Sequence, residues 1–413
     1  MKRKLYNKIL EWKETDKGQT ALLIDGARRV GKSYIAEAFA KAEYKSYILI
    51  DFNHVSKEIK DLFDNYLEDL DSFFMYLSAY YNVKLYERET LIIFDEVQLF
   101  PKARAAIKYL VAGSRYDYIE TGSLMTIKKN VQDILIPSEE RHMKMFPFDF
   151  EEFLWALGNE TIMDYIRNRF NEKKPVGQAF HRKAMDYFRQ YLIVGGMPQA
   201  VAAYVEGRDF DRVDRIKCDI LELYRADIMK HAAGYEMKVA QIFDDIPAQL
   251  QKHDKKFKLS SLKKEARYRE YEDALFWLND AMIVNICYNS TEPNIGLRLN
   301  MDRLRLKCYM ADTGLLISHA FDENGIVSEE IYKKLLFDKL EVNKGMIAKS
   351  KISTRHNISP IEVKSGKNYT LVSLQKFKNK YKEQLHVAYV LHGGDLKEEN
   401  GILFLPLYMT PLL

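Results

Sequence analysis

The chain has 413 residues, room for two to four domains, and its 47% hydrophobic and 30% charged content excludes a disordered or fibrous protein. Its formal net charge of +4 does not by itself argue for nucleic acid, so any such case must rest on local basic patches. Cys218, Cys287 and Cys308 are far apart with no C-x-x-C pairing, which excludes an ordinary zinc cluster or a disulfide framework and suits small buried residues in a reducing compartment.

In chain order, the start Met1-Lys2-Arg3-Lys4 is basic, but Glu11, Lys13 and Glu14 follow before any apolar core develops, unlike a signal peptide. No apolar run approaches the ~18 residues of a membrane span; no membrane association is expected, and the expected place is the cytoplasm. Residues 21–25, Ala-Leu-Leu-Ile-Asp, read as a buried strand. Gly26-Ala27-Arg28-Arg29-Val30-Gly31-Lys32-Ser33 follows, matching G-x-x-x-x-G-K-[ST] at every fixed position, and a helical pattern begins directly after it. Gly26 and Gly31 let the backbone curl so that the N–H groups of Gly26 through Ser33 face phosphates. Lys32 brings a point charge to the β- and γ-phosphates, and the Ser33 hydroxyl reaches Mg²⁺.

Tyr47–Asp51 fits the next strand, and Leu91-Ile92-Ile93-Phe94-Asp95-Glu96 is a buried strand ending in two acids, at the edge where such sheets bind ligands. Asp95 is the expected Mg²⁺ holder through water, and Glu96 the residue that orients or deprotonates the attacking water. A further strand, Tyr118-Ile119-Glu120, ends in Thr121-Gly122-Ser123. Thr121 and Ser123 either sense the γ-phosphate and align the water or simply cap the strand end. Arg141 is a candidate cationic finger for phosphoryl transfer; beside Glu139 and Glu140, a surface ion pair is its other reading.

At this point the chain resembles bacterial and archaeal AAA-type P-loop ATPases whose C-terminal half is a domain of unknown function. The resemblance is carried by Gly26–Ser33, Leu91–Gln98, Glu120–Ser123, Phe146–Phe153, Tyr191–Pro198, Ala311–Leu316 and Pro360–Gly366, in order over nearly the whole chain. It implies ATP as the nucleotide and a helical lid beside the nucleotide domain, and it supplies no cellular role.

From about 150 to 235 the pattern is helical, broken by the turn Gly195-Gly196-Met197-Pro198. Amphipathic stretches near 238–251, 259–267 and 271–280, then strand-like Met282–Val284 and Arg298–Asn300, suggest a winged helix-turn-helix. The basic run Lys252–Lys258, with Lys263, Lys264 and Arg267, offers contacts to DNA phosphates through residues 252–269. Glu265, Glu270, Glu272 and Asp273 dilute that charge, and winged helices also bind proteins or serve structure alone.

Ile361-Glu362-Val363-Lys364 alternates like a strand and resembles the E-x-K half of the PD-(D/E)-x-K nuclease fold, whose metal site also needs an upstream Asp and usually a helical Glu. The run from Val342 through Ile361 holds no acid. Either the domain is a shortened, inactive variant, or a stretch between Ile347 and Ala348 is absent from this sequence; as it stands, the chain is not expected to cut DNA. The fold class expected is α/β: a P-loop NTPase parallel sheet with a helical lid, a winged helix-turn-helix and a C-terminal restriction-endonuclease-like α/β domain. The segments are 1–150, 151–235, 236–320 and 321–413, the last incomplete. ATP and Mg²⁺ are the expected ligands, with DNA, a protein partner or a second copy of the chain as candidate partners. A nucleotide-gated interaction switch and an ATP-driven nuclease are the rival functions.

Overall fold

In the computed structural model, described over residues 1–123, 138–232, 234–252, 256–265, 267–293, 297–321, 352–353, 358–364, 369–382 and 385–413, the chain forms two units, 1–146 with 280–282 and 147–279 with 283–413. The interval around Ile347 and Ala348, where the sequence leaves two accounts open, lies outside the described residues.

The first unit runs α1 (Lys4–Asp16), β1 (Ala21–Gly26), α2 (Lys32–Glu43), β2 (Ser46–Asp51), α3 (Lys57–Asn65), α4 (Leu70–Tyr81), β3 (Thr90–Asp95), α5 (Pro101–Ala112), β4 (Asp117–Gly122) and β5 (Glu140–Met145). The five strands form one parallel sheet in the order β2-β3-β4-β1-β5, a P-loop NTPase arrangement. Strands β1, β3 and β4 are buried at every residue, which is why β1 and β3 read as near-continuous apolar runs rather than alternating ones; β4 buries Asp117, Glu120 and Thr121 instead. Leu23, Ile92, Phe94 and Tyr118 pack with Phe63, Phe73 and Ile107 from the helices in one apolar core. The chain leaves β1 toward β2 on one side and later returns past it to β5 on the other. That reversal makes the carboxyl end of β1 a topological switch point, the usual place for a ligand in such sheets.

One polar cluster interrupts this core. The Arg104 guanidinium of α5 forks onto Glu140 of β5 at 2.7 and 3.0 Å, and His142 meets the same carboxylate at 2.7 Å. Glu120 is fully buried, and neither of its oxygens accepts a hydrogen bond. Burial, the Glu140 charge and a hydrogen bond to Glu140 push its carboxyl well above the usual range. Burial works against Glu140 ionising, but hydrogen bonds from His142 and Arg104 bring it down to about 2. The same bond raises His142.

The second unit begins with α6 (Phe150–Ala156), α7 (Thr161–Asn171), α8 (Gln178–Val194), α9 (Pro198–Gly207), α10 (Phe210–His231), α11 (Glu236–Gln251), a 3-10 turn (Leu259–Ser261), α12 (Tyr268–Asp280), the antiparallel pair β6 (Val284–Ser290) and β7 (Met301–Met310), and α13 (Thr313–Phe321). Asp149 and Glu152 close a capping box at the start of α6, a sequence-local start signal. Helix α13 is buried from Gly314 to His319 and packs on α8, α10 and α11. Its anchor is Asp312, whose buried carboxylate accepts from the Gly196 amide at 2.6 Å and the Leu315 amide at 2.8 Å. Gly195 sits at φ 81°, and a Cβ on Gly196 would come within 2.1 Å of the Phe148 carbonyl. The buried Lys217 ammonium donates to the Ile193 carbonyl at 3.2 Å, and Ser318 donates to Asp214 at 2.6 Å. The two glycine-bearing motifs of the sequence are thus one buried joint.

The remaining elements are β8 (Ile352–Ser353), β9 (Ile358–Ser359), β10 (Ile361–Val363), α14 (Val372–Lys380), β11 (Ala388–His392), β12 (Lys397–Glu399) and β13 (Ile402–Pro406). Strands β10, β11 and β13 run parallel, with β12 antiparallel at the edge. None of the three cysteines forms a disulfide; Cys308 is buried and Cys218 and Cys287 half-buried. Among the described residues, no helix is long and apolar enough to cross a membrane.

Two outcomes follow from these contacts. Gly196→Ala forces a methyl group against backbone atoms of Phe148 and should cost about 2–3 kcal/mol, read as a lower denaturant midpoint. Glu120 and His142 both hold protons more tightly folded than unfolded, so their stabilisation is lost as pH rises through the folded values. Glu120→Gln should melt no lower than wild type at about pH 6 and increasingly above it toward pH 9.

Candidate nucleotide site

The site is built at the carboxyl end of β1, where the strand runs into Gly26 and helix α2 starts at Lys32. Gly31 caps the helix at φ 96°, and Arg29 is left-handed at φ 69°. Alternating left-handed residues turn successive N–H groups inward, the geometry of an anion nest. Gly26 is required by contact: a Cβ there would lie 2.3 Å from the Met145 carbonyl. Ala27 and Val30 are buried, whereas Arg28 and Arg29 are exposed.

Lys32 is buried, and its ammonium donates to the Gly26 and Ala27 carbonyls at 3.1 Å each. Burial pushes it below the ordinary lysine range, with the charges of Glu96, Asp95 and Asp25 opposing. The Ser33 hydroxyl donates to Asp95 Oδ1 at 2.7 Å, and the Thr121 hydroxyl donates to the same oxygen. Thr121 also accepts the Glu96 amide at 3.3 Å. Glu96 stands in the left-handed region at φ 54°, and its carboxylate accepts from the Gln98 side chain. The sheet therefore brings Lys32, Ser33, Asp95, Glu96 and Thr121 together, while Ser123 lies half-buried just past the end of β4.

Arg141 is not brought to this site. It pairs in register with Leu22, whereas Gly26 lies opposite Met145, so four residues of strand, about 13 Å, separate it from the loop. Its guanidinium bonds the buried Asp16 carboxylate at 2.9 Å. Parallel register, invisible in the local Glu139–His142 string, decides this.

Two contributors escaped the sequence reading. Asp25 is buried at the end of β1 with Oδ1 lacking any hydrogen-bond partner, and burial raises its carboxyl, with Lys144, His142 and Lys32 opposing. Gln98, three residues past Asp95, holds Glu96. An acid directly before the first loop glycine was the one visible signal. The loop's curled amides, its buried ammonium, and a hydroxyl and a carboxylate of hard oxygen character suit a triphosphate and a magnesium ion.

At the end of β10, Lys364 pairs with Glu362 at 2.7 Å, and the second Glu362 oxygen is buried without a hydrogen-bond partner. Of the interval where the nuclease pattern needs its other acids, 342–351 and 354–357 lie outside the described residues. Among the described residues, no group of three or more His, Cys, Asp or Glu could hold a metal ion.

Residues 18–154 match the family model described as an AAA domain, and residues 185–324 one described as a domain of unknown function (DUF8612). The first unit thus has a P-loop arrangement and is similar to an AAA domain over the matched residues. An uncharacterized protein of Methanocaldococcus jannaschii is 24% identical over 206 residues, which span 48% of this chain and 42% of that protein. Among solved structures, the Aeropyrum pernix ORC1 protein in complex with DNA aligns with 79% of this chain and 94% of its own at 10% identity and a TM-score of 0.29. AMPPCP-bound DnaA from Aquifex aeolicus aligns with 65% and 82% at 12% identity and a TM-score of 0.29. Scores this low carry nothing about function across to this chain.

Thr121→Val removes the hydroxyl shared by Asp95 and Glu96. It should lower nucleotide turnover about tenfold while leaving nucleotide affinity within about threefold, measured by phosphate release and by direct titration.

Proposed function

We propose that the chain binds ATP with Mg²⁺ at the end of β1 and hydrolyses it, and that the nucleotide state switches the helical lid, a winged helix and a nuclease-like C-terminal region. The observation that carries this reading is the Asp95 carboxylate, which draws in Ser33 at 2.7 Å and Thr121 beside the buried Lys32. The amides of Gly26 through Ser33 bind the phosphates, and Lys32 turns from the loop carbonyls to the terminal phosphates. Ser33 and Asp95 are the magnesium holders; the ion, when bound, neutralises phosphate charge and assists departure of the leaving oxygen. Glu96, steadied by Gln98 and Thr121, takes the proton of the attacking water. With Arg141 tied to Asp16, a cationic finger would come from a second copy or another protein, so turnover of the isolated chain should be slow.

A second reading concerns DNA. Gln249 accepts the Lys258 amide at 3.2 Å and donates to the Lys258 carbonyl at 3.1 Å, pinning the basic segment to α11. Beside it opens a cleft of about 350 Å³ lined by Lys256, Lys258, Tyr268, Leu304 and Arg305 among others. Lys263, Lys264 and Arg267 are exposed nearby in sequence, as are Arg303 and Arg305 on β7; His253–Lys255 and Ala266 lie outside the described residues. This favours phosphate-backbone contact through 252–269 and the β6–β7 hairpin. Helix α12, the base-reading position of a winged helix, exposes Glu270, Asp273 and Phe276, so sequence-specific readout is not proposed.

Lys32→Ala should abolish ATP binding, and Glu96→Gln should keep binding while cutting phosphate release on the order of 10²-fold. If Glu96→Gln leaves turnover unchanged, the hydrolytic reading fails; if its partner-binding output persists, the chain is a binding switch. Duplex binding should weaken steeply between about 50 and 200 mM salt and be reduced by Lys256→Glu with Lys258→Glu. Binding indifferent to both would sink the DNA reading.

A further inference from the structure

Arg3 precedes α1 and belongs to none of the motifs that build the nucleotide site, yet it is buried. One guanidinium nitrogen donates to the Val30 carbonyl at 3.2 Å and another to the Phe146 carbonyl at 2.5 Å. Val30 stands directly before Gly31-Lys32-Ser33, and Phe146 directly follows β5. The loop meets the end of β5 a second time at Gly26, where a Cβ would lie 2.3 Å from the Met145 carbonyl. Both ends of the phosphate loop therefore rest on Met145-Phe146, and Arg3 is the side chain that closes one of those contacts.

The consequence follows from peptide geometry. The Val30 C=O and the Gly31 N–H belong to one planar trans peptide and point in opposite directions. Holding the carbonyl on Arg3 thus aims the Gly31 N–H away from Arg3. Val30 lies between the left-handed Arg29 and Gly31, where backbone amides make an anion nest. A cation on the carbonyl also polarises the shared peptide and strengthens its N–H as a donor. Arginine's rigid fork can bond two carbonyls in fixed directions, which a lysine ammonium holds less firmly.

We propose that Arg3 is a positioning residue for phosphate binding. It fixes the Val30–Gly31 peptide in the orientation that receives a nucleoside di- or triphosphate, and ties that peptide to Phe146, the residue before the chain enters the second unit. The proposal rests on the nucleotide reading above. The bonds of Arg3 to the Val30 and Phe146 carbonyls act on the loop backbone, so it acts on affinity rather than on the chemical step.

The test is titration of the full chain with ADP and ATP, with steady-state turnover, for wild type, Arg3→Met and Arg3→Lys. Arg3→Met should raise Kd for both nucleotides about tenfold, the scale of a lost charge-assisted hydrogen bond, with kcat within about twofold and KM carrying the loss. Arg3→Lys should recover part of the affinity. The rise in Tm caused by saturating ADP should also shrink in Arg3→Met, which a merely structural side chain would leave intact. Wild-type Kd in a folded Arg3→Met overturns the proposal and leaves the nucleotide reading standing; a wild-type chain that binds neither nucleotide overturns both. Where Arg3→Met does not fold, Arg3→Lys decides: an unchanged Kd for ADP overturns the proposal, and a several-fold rise supports it.

Discussion

The Asp95 carboxylate is the constraint around which the first unit's site is arranged. Strand order places β4 between β3 and β1, so the acidic strand end and the phosphate loop are not on neighbouring strands. Something must bridge that gap. Thr121, on the intervening strand, does so: its hydroxyl donates to Asp95 and accepts the Glu96 amide, while Ser33 reaches Asp95 from α2. The bond at the Glu96 amide has a further use. Glu96 is left-handed at φ 54°, a conformation costing a non-glycine residue about 1–2 kcal/mol, and the Thr121 and Gln98 contacts offset that cost.

What could be read from the sequence was what is local. Gly26 through Ser33 and Leu91 through Glu96 are contiguous strings in which the strand, the turn and the chemistry lie within a few residues. Thr121 was visible only as one of two polar residues at a strand end, because its task depends on which strands flank β4. Arg141 shows the same limit from the other side. Its neighbours in sequence suggested either a finger or an ion pair, and its actual partner, Asp16, lies at the far end of α1. The register that sets Arg141 beside Leu22 is a property of the sheet, with no signature in the strand itself. Arg3 was unreadable for the same reason: the Val30 and Phe146 acceptors it holds are backbone carbonyls, which any residue supplies.

The second unit depends on an equally non-local joint. Gly195-Gly196 reads as a turn, and Asp312-Thr313-Gly314 as a helix start, but nothing in either string says that they meet. Their closeness explains the glycines. Side-chain-free positions at 196 and 314 let the backbones of Phe148 and Val194 approach within van der Waals range, and Asp312 then satisfies amides that the approach buries. Burial raises the Asp312 carboxyl, while bonds from the Gly196 and Leu315 amides and the Lys217 charge oppose. Lys217, itself brought down to about 8 by burial against the opposing charge of Asp214, donates to Ile193 on α8. A buried charge placed this way is best understood as fixing one packing of α8, α10 and α13, since breaking such a pair costs more than the pair contributes.

Electrostatics in the phosphate loop point to how binding there is made selective. The Lys32 ammonium sits among Asp25, Asp95 and Glu96, and each of these acids favours its charged form while burial opposes it. Its present acceptors, the Gly26 and Ala27 carbonyls, are neutral. A neutral or singly charged ligand offers that ammonium little over the carbonyls it would leave. A polyphosphate offers full negative charges, and charge-assisted bonds are roughly twice as strong as neutral ones. It would meet the nearby carboxylates as a repulsive partner unless a divalent cation intervened, and Ser33 with Asp95 supplies the oxygen donors for one. Under the proposed function the acids beside the loop would act as a filter: their charges oppose the effect of burial on the lysine and would make a bare anion less welcome than a metal-bound one.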